Sequence, residues 1–283
     1  MIWALWTLLA CDDPAVGDAP EAAPSPPTDR PGLQTPRLPE ACLHGLDPQL
    51  AQRLMELDTL SRATLMGGGW DNRREAKLGQ SLLLTLKGQA RLRQDPGLDT
   101  LLTRLNLSGV PLRFEHTALV FEEPLPNAYA LPGGRILVSE GLITLAAGDD
   151  DALAFVLAHE IAHVELYHSA AVYQRLWATQ GWRDPAWGPL LAVTRHATSA
   201  TQELEADRLG AALAQRAGFR LDGAEALLDR LPPAADADLT DLFGDDLLAL
   251  PPELRALVLD GLGTHPSVEA RRCAIRHGPT LPL

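Results

Sequence analysis

The five residues His159-Glu160-Ile161-Ala162-His163 constrain this chain more than any other feature. At 3.6 residues per helical turn, side chains four apart project about 40° from each other, so both imidazoles share one face and can bind one ion. Glu160 lies about 60° round from His163, placed to touch a metal-bound water without being a ligand. Leu153, Ala154, Phe155, Val156, Leu157, Ile161, Ala162 and Val164 make this helix apolar nearly all round. Helices of that kind are buried. Burying two imidazoles and a carboxylate is costly unless something pairs them. A zinc ion supplies that pairing, one per chain; the plainer alternative is a satisfied His–Glu pair in a core.

A catalytic zinc takes three protein ligands and keeps one position open. His168 lies nine residues past His159, about 180° round a continuous helix, and is expected to face away. The run Glu203-Leu204-Glu205-Ala206-Asp207 is the better source. Glu203 and Asp207 share a helical face at i,i+4, while Glu205 points elsewhere. Glu203 is expected to ligate zinc, and Asp207 to accept a hydrogen bond from His159 and so fix its tautomer. Alone, this run would read as an exposed acidic turn. Beside H-E-x-x-H, the ligand reading is stronger.

The remaining chain narrows the setting. Its 283 residues suit one catalytic domain plus a tail, and 46% hydrophobic content fits a globular protein. A net charge of −13 argues against nucleic acid as a partner. No apolar run reaches the roughly 20 residues of a membrane helix, so no transmembrane span is expected in the mature protein. Residues 1–10 contain a short apolar run, and Leu8-Leu9-Ala10-Cys11 resembles a bacterial lipobox, although no Lys or Arg precedes the run. Cys11 is therefore the expected lipidation site, anchoring the protein to a membrane on the periplasmic side of a bacterial envelope. A plain secretory signal is the alternative. Residues 11–40, rich in Pro, Ala and Asp, lack the apolar side chains to fold and read as a semi-rigid tether. The catalytic domain is placed at 41–283. Within it Cys42 and Cys273 remain, and sequence leaves open whether they pair.

The texture of the domain is α+β and mostly helical. Residues 47–106 read as helical, broken at Gly67-Gly68-Gly69. Extended runs at 112–115, 118–121 and 135–139 suggest a small three-stranded sheet. One helix is expected from Asp149 to His168, another from about Ala192 to Ala217, and shorter ones near 222–231, 251–261 and 266–277. Tyr173, Trp177, Trp182 and Trp187 form an aromatic run between the two metal-bearing helices, readable as core packing or as a lid.

Four blocks in order now carry a resemblance: Asn127-Ala128-Tyr129-Ala130-Leu131-Pro132-Gly133-Gly134, the H-E-x-x-H motif, Glu203-x-x-Ala206-Asp207, and Gly263-Thr264-His265-Pro266 with Arg271 beyond. Together they resemble the HtpX/CAAX-prenyl-protease superfamily of gluzincin metallopeptidases, in its BepA-like branch with mitochondrial Oma-like relatives. The resemblance runs from about Glu75 to the C-terminus. It implies a zincin-like fold and an edge strand at Asn127, Ala128, Tyr129 and Ala130 that pairs with extended substrate. It also implies a histidine, His265, that approaches the metal to aid catalysis or to cap it, and Arg271 as support behind the ligands. The flanking membrane helices of some members, and the helical repeats of the BepA-like branch, are not expected from these 283 residues.

The function expected is hydrolysis of unfolded or misassembled envelope proteins by a zinc endopeptidase, with Glu160 as general base. The rival is a latent or non-catalytic chaperone-like module that grips chains along the edge strand. No G-x-S-x-G offers a serine nucleophile.

Overall fold

A computed structural model describes residues 33, 37–88, 90–172, 198–231 and 266–281. Cys11, the 1–10 leader, nearly all of the 11–40 tether, the aromatic run from Tyr173 to Trp187, the helix expected at 251–261 and His265 lie outside the described residues.

Helices α1 (Pro48–Gly67) and α2 (Asn72–Lys87) come first. The Asp71 side chain starts α2 by accepting from the Arg74 amide, satisfying a donor that has no partner within the helix. Strand β1 (Leu92–Arg93) leads into α3 (Pro96–Asn106), capped by Asp95 with proline at its first turn. Strands β2 (Thr117–Phe121), β3 (Ala128–Leu131) and β4 (Arg135–Ser139) follow, then α4 (Glu140–Ala146) and α5 (Asp150–Glu165). The described chain resumes with α6 (Ala200–Arg216), α7 (Asp222–Arg230) and α8 (Val268–Arg276). No helix among the described residues is long and apolar enough to cross a membrane.

Among the described residues the sheet has four strands, not three, in the order β1-β2-β4-β3. β2 and β4 run parallel, and β3 returns antiparallel to β4 with Ala130 opposite Ile136. β3 therefore ends the sheet. The run at 112–115, expected as a strand, is a loop. Its Arg113 amide donates to the Glu165 carboxylate rather than to a ladder. The fully buried Arg113 guanidinium donates to Glu75 and to the Val164 carbonyl, and Asn72 accepts from it as well. One buried cation thus ties α2, the loop and the end of α5 together, and each buried carboxylate gains the partner it needs.

α5 is the central element, packed between β3, α3, α6 and α7. Val120, Ile136, Leu157, Ile161, Leu209 and Leu213 are among the side chains that fill the main core. Gly210 on α6 lets α5 and α6 approach closely: a Cβ there would lie 2.8 Å from the His159 amide nitrogen and 2.9 Å from its Cα. In the same way, Gly133 (φ +76°) and Gly134 (φ +83°) make the turn that brings β3 back along β4.

Two boundaries differ from the sequence reading. α5 stops at Glu165 instead of His168, because Tyr167 takes a left-handed backbone (φ 65°). Helical backbone resumes at 168–172 in a new direction. The described part of α6 begins at Ala200 behind a capping box, in which Ser199 accepts from the Gln202 amide and Gln202 accepts from the Ser199 amide. Cys42 and Cys273 form a disulfide, which joins the 3-10 turn at Glu40–Leu43 to α8.

Candidate metal centre

His159 and His163 lie on the buried face of the last turns of α5, and Glu203 lies in the first turn of α6. The two Nε2 atoms are 3.0 Å apart. Glu203 places Oε2 3.4 Å from His159 Nε2 and Oε1 3.4 Å from His163 Nε2. Thr198 Oγ1 donates to Glu203 Oε1 at 2.6 Å, which fixes that carboxylate.

The other ring nitrogens are engaged on the far side. His159 Nδ1 is 3.0 Å from Asp207 Oδ1, and His163 Nδ1 is 3.0 Å from His168 Nδ1. Arg271, from α8, clamps Asp207 with two bonds, Nε to Oδ2 at 2.8 Å and Nη2 to Oδ1 at 2.7 Å. With a proton on each Nδ1, two Nε2 lone pairs and a carboxylate would converge on one point. Such a group repels itself unless a cation sits among its members. Two nitrogens and one oxygen at that spacing form the donor set of an open tetrahedral metal site.

The electrostatics say the same. Burial opposes a proton on His159, but the Asp207 and Glu203 carboxylates outweigh it and push its pKa up to about 10. Burial keeps His163 well below its ordinary value despite Glu203, with His159 and His168 adding to the effect. Burial also works against the Glu203 carboxylate, yet His163, His159 and Arg271 hold it well below the usual carboxylate range. The protein's own charges thus ask for one positive charge between the ligands.

Glu160 is buried beside them, and loss of solvent raises its pKa to about 7. His159, Arg271 and the Ala130 backbone of β3 work against that rise, while the Glu203 carboxylate adds to it. The edge strand packs against the helix that carries Glu160. Tyr129 and Ala130 are buried on this strand, while Ala128 is half-buried. The Asn127 amide donates to Ser139 Oγ at 2.8 Å, fixing the strand's entry.

His159, Glu160, His163, Glu203, Asp207, Arg271 and Ala130 are thus brought together, while His265 and Cys11 lie outside the described residues. One expectation is corrected. His168 does not face away; the left-handed turn at Tyr167 ends the helix and carries His168 back against His163. Only a break that the sequence did not announce permits this. Glu205 also escaped the sequence reading, which gave it no role, although it reaches His168 Nε2 at 3.3 Å.

The model of peptidase family M48 matches residues 94–278. The chain belongs to that family. It is 34% identical over 131 residues to mitochondrial metalloendopeptidase OMA1 of Schizosaccharomyces pombe, covering 41% of this chain and 37% of that protein. It is 26% identical over 254 residues to the β-barrel assembly-enhancing protease of Escherichia coli, covering 80% of this chain and 47% of that one. A third relative, OMA1 of Arabidopsis thaliana, is 32% identical over 162 residues, 54% of this chain and 29% of its own. The chain thus spans less than half the length of each of these relatives. Their family membership supports a metalloprotease role for this M48 protein.

Proposed function

We propose that this M48 protein is a zinc-dependent metalloendopeptidase that cuts unfolded or misassembled proteins of a bacterial envelope. The observation that carries the reading is the convergence of His159, His163 and Glu203 on one point, with Glu160 beside them and an edge strand packed against its helix. When bound, zinc supplies a Lewis acid for the scissile carbonyl and lowers the pKa of a water towards neutrality.

The chain's own residues do the rest. Glu160 takes the proton of the attacking water on its carboxylate and passes it to the leaving amine. Asn127, Ala128, Tyr129 and Ala130 bind an extended substrate along the open side of β3, which aligns the scissile bond with Glu160. That mode of binding selects unfolded chains, because a folded substrate has no free backbone to pair. Asp207 and Arg271 hold His159 in place, and His265 approaches the metal to stabilise the oxyanion or to cap the site.

The domain assignment belongs to the same reading: a leader at 1–10, a lipid anchor at Cys11 with a tether to residue 40, and the catalytic domain at 41–283. One relative is named for enhancing β-barrel assembly, which fits substrates in an envelope. Purified protein is expected to hold one zinc per chain and to cleave unfolded β-casein, and Glu160→Gln to keep the metal and lose cleavage. Protein that carries stoichiometric zinc yet cuts neither casein nor itself would mean a latent site. Protein that takes up no zinc would sink the reading.

A further inference from the structure

The ligand His159 has the carboxylate Asp207 behind it, and Arg271 holds that carboxylate. His163 is backed differently. Its Nδ1 meets the Nδ1 of fully buried His168 at 3.0 Å, and His168 Nε2 lies 3.3 Å from Glu205 Oε2. Arg62, from α1, then reaches Glu205 Oε2 at 2.5 Å and donates through Nε to Asp58 Oδ2 at 2.8 Å. Gln202 Nε2 closes the group by donating to Asp58 Oδ1 at 2.5 Å.

Only one arrangement of protons satisfies this chain while leaving His163 able to bind a metal. His163 Nε2 must offer a lone pair to the site, so its proton sits on Nδ1. That proton is donated to His168 Nδ1, which must then be bare. His168 therefore carries its proton on Nε2 and donates it to Glu205. Glu205 Oε2 thus faces two donors, the Arg62 guanidinium and His168 Nε2. Asp58, His168 and Glu205 also lie within ligand distance of one another. A second metal there would compete with Arg62, whose guanidinium already contacts both carboxylates.

We propose that His168, Glu205 and Arg62 form a positioning chain that fixes the tautomer and orientation of His163, so that helix α1 helps set the affinity of the site for zinc. The proposal rests on the zinc reading above. Its consequence is that α1, which lies outside the residues the family model matches, is a working part of the metal centre. The support for His163 is also longer than the support for His159, one imidazole being interposed before the carboxylate.

The test is zinc affinity of the full chain, by competition with a chromophoric chelator, alongside thermal melts of the chelator-stripped protein. His168→Leu keeps the bulk but removes the acceptor, and is expected to weaken zinc binding about 10–100-fold. His168→Asn places an amide oxygen near the Nδ1 position and is expected to recover affinity to within a few-fold of wild type. Arg62→Met, remote from metal and substrate, is expected to weaken zinc binding several-fold. A packing role for His168 predicts the reverse order, with Leu tolerated and Asn poor. Wild-type affinity in His168→Leu, or equal loss in Leu and Asn, overturns the proposal. If the His168 variants do not fold, unchanged affinity in Arg62→Met overturns it instead. A wild-type chain that binds no zinc removes the zinc reading itself, whereas one that binds zinc with all variants unaffected removes only the positioning chain.

Discussion

Asp207 shows how little freedom the metal site leaves a single side chain. It is fully buried, it faces His159, and Arg271 binds both of its oxygens. Burial works against its charge, and the Arg271 cation more than compensates, so Asp207 stays below the usual carboxylate range. Arg271→Met would leave that carboxylate buried without its partner, a change that typically costs about 3–5 kcal/mol. The same variant should lose about 10–100-fold in zinc affinity, since support behind a ligand contributes on that scale. Urea melts and metal titration of one preparation check both. A stable variant with normal zinc binding would show that Arg271 is not what holds Asp207. At this scale the sequence was informative, because i,i+4 spacing places two carboxylates on one face whatever the tertiary contacts are. It missed Glu205, whose partner Arg62 lies 143 residues away and is reached only through folding.

At the scale of elements, the site depends on how closely α5 and α6 approach. Gly210 permits that approach at His159 itself. In an exposed helix, Gly→Ala gains about 1 kcal/mol. Here the new methyl would sit under 3 Å from His159 backbone atoms, which cannot swing aside as a side chain would. Overpacking of this kind costs about 1–3 kcal/mol, so the steric term outweighs the propensity gain. Gly210→Ala is therefore expected to lower the melting temperature by several degrees and to weaken zinc retention under dialysis. An unchanged or higher melting temperature would mean that the helices separate freely. The element-level error in the sequence reading has the same source. An apolar run continuing past Glu165 reads as one helix, and nothing local marks Tyr167 as left-handed. The Arg113 guanidinium lies over its ring at 3.8 Å, a tertiary contact at the point where the chain turns.

For the molecule as a whole, the disulfide Cys42–Cys273 ties together residues 231 positions apart. It joins the start of the described fold to α8, the helix that carries Arg271. In the chain-entropy view such a cross-link acts mainly on the unfolded chain, and removing a native one costs about 2–5 kcal/mol. The double variant Cys42→Ser, Cys273→Ser should lose stability in that range in denaturant melts, and reductant should bring wild type to the same midpoint. Midpoints that do not move would mean the bond contributes nothing to folding. Whether two cysteines pair depends on where folding puts them, so the pairing stayed open until the structure brought their Cα atoms to 5.1 Å.

The sequence by itself determined a mostly helical α+β chain and picked out His159, Glu160, His163, Glu203 and Asp207, which the structure brings together as a candidate metal centre. The pairing of His159 with His163 and of Glu203 with Asp207 follows from helical periodicity, which acts over a few residues, whereas joining the two pairs rested on the chemistry a metal site needs. Tertiary structure decided the fourth strand, the conversion of 112–115 from strand to loop, the end of α5 at Glu165 and the return of His168 to His163. Each of those turns on a buried charge or a backbone reversal whose partner is distant in sequence, and local pattern carries no record of such a partner.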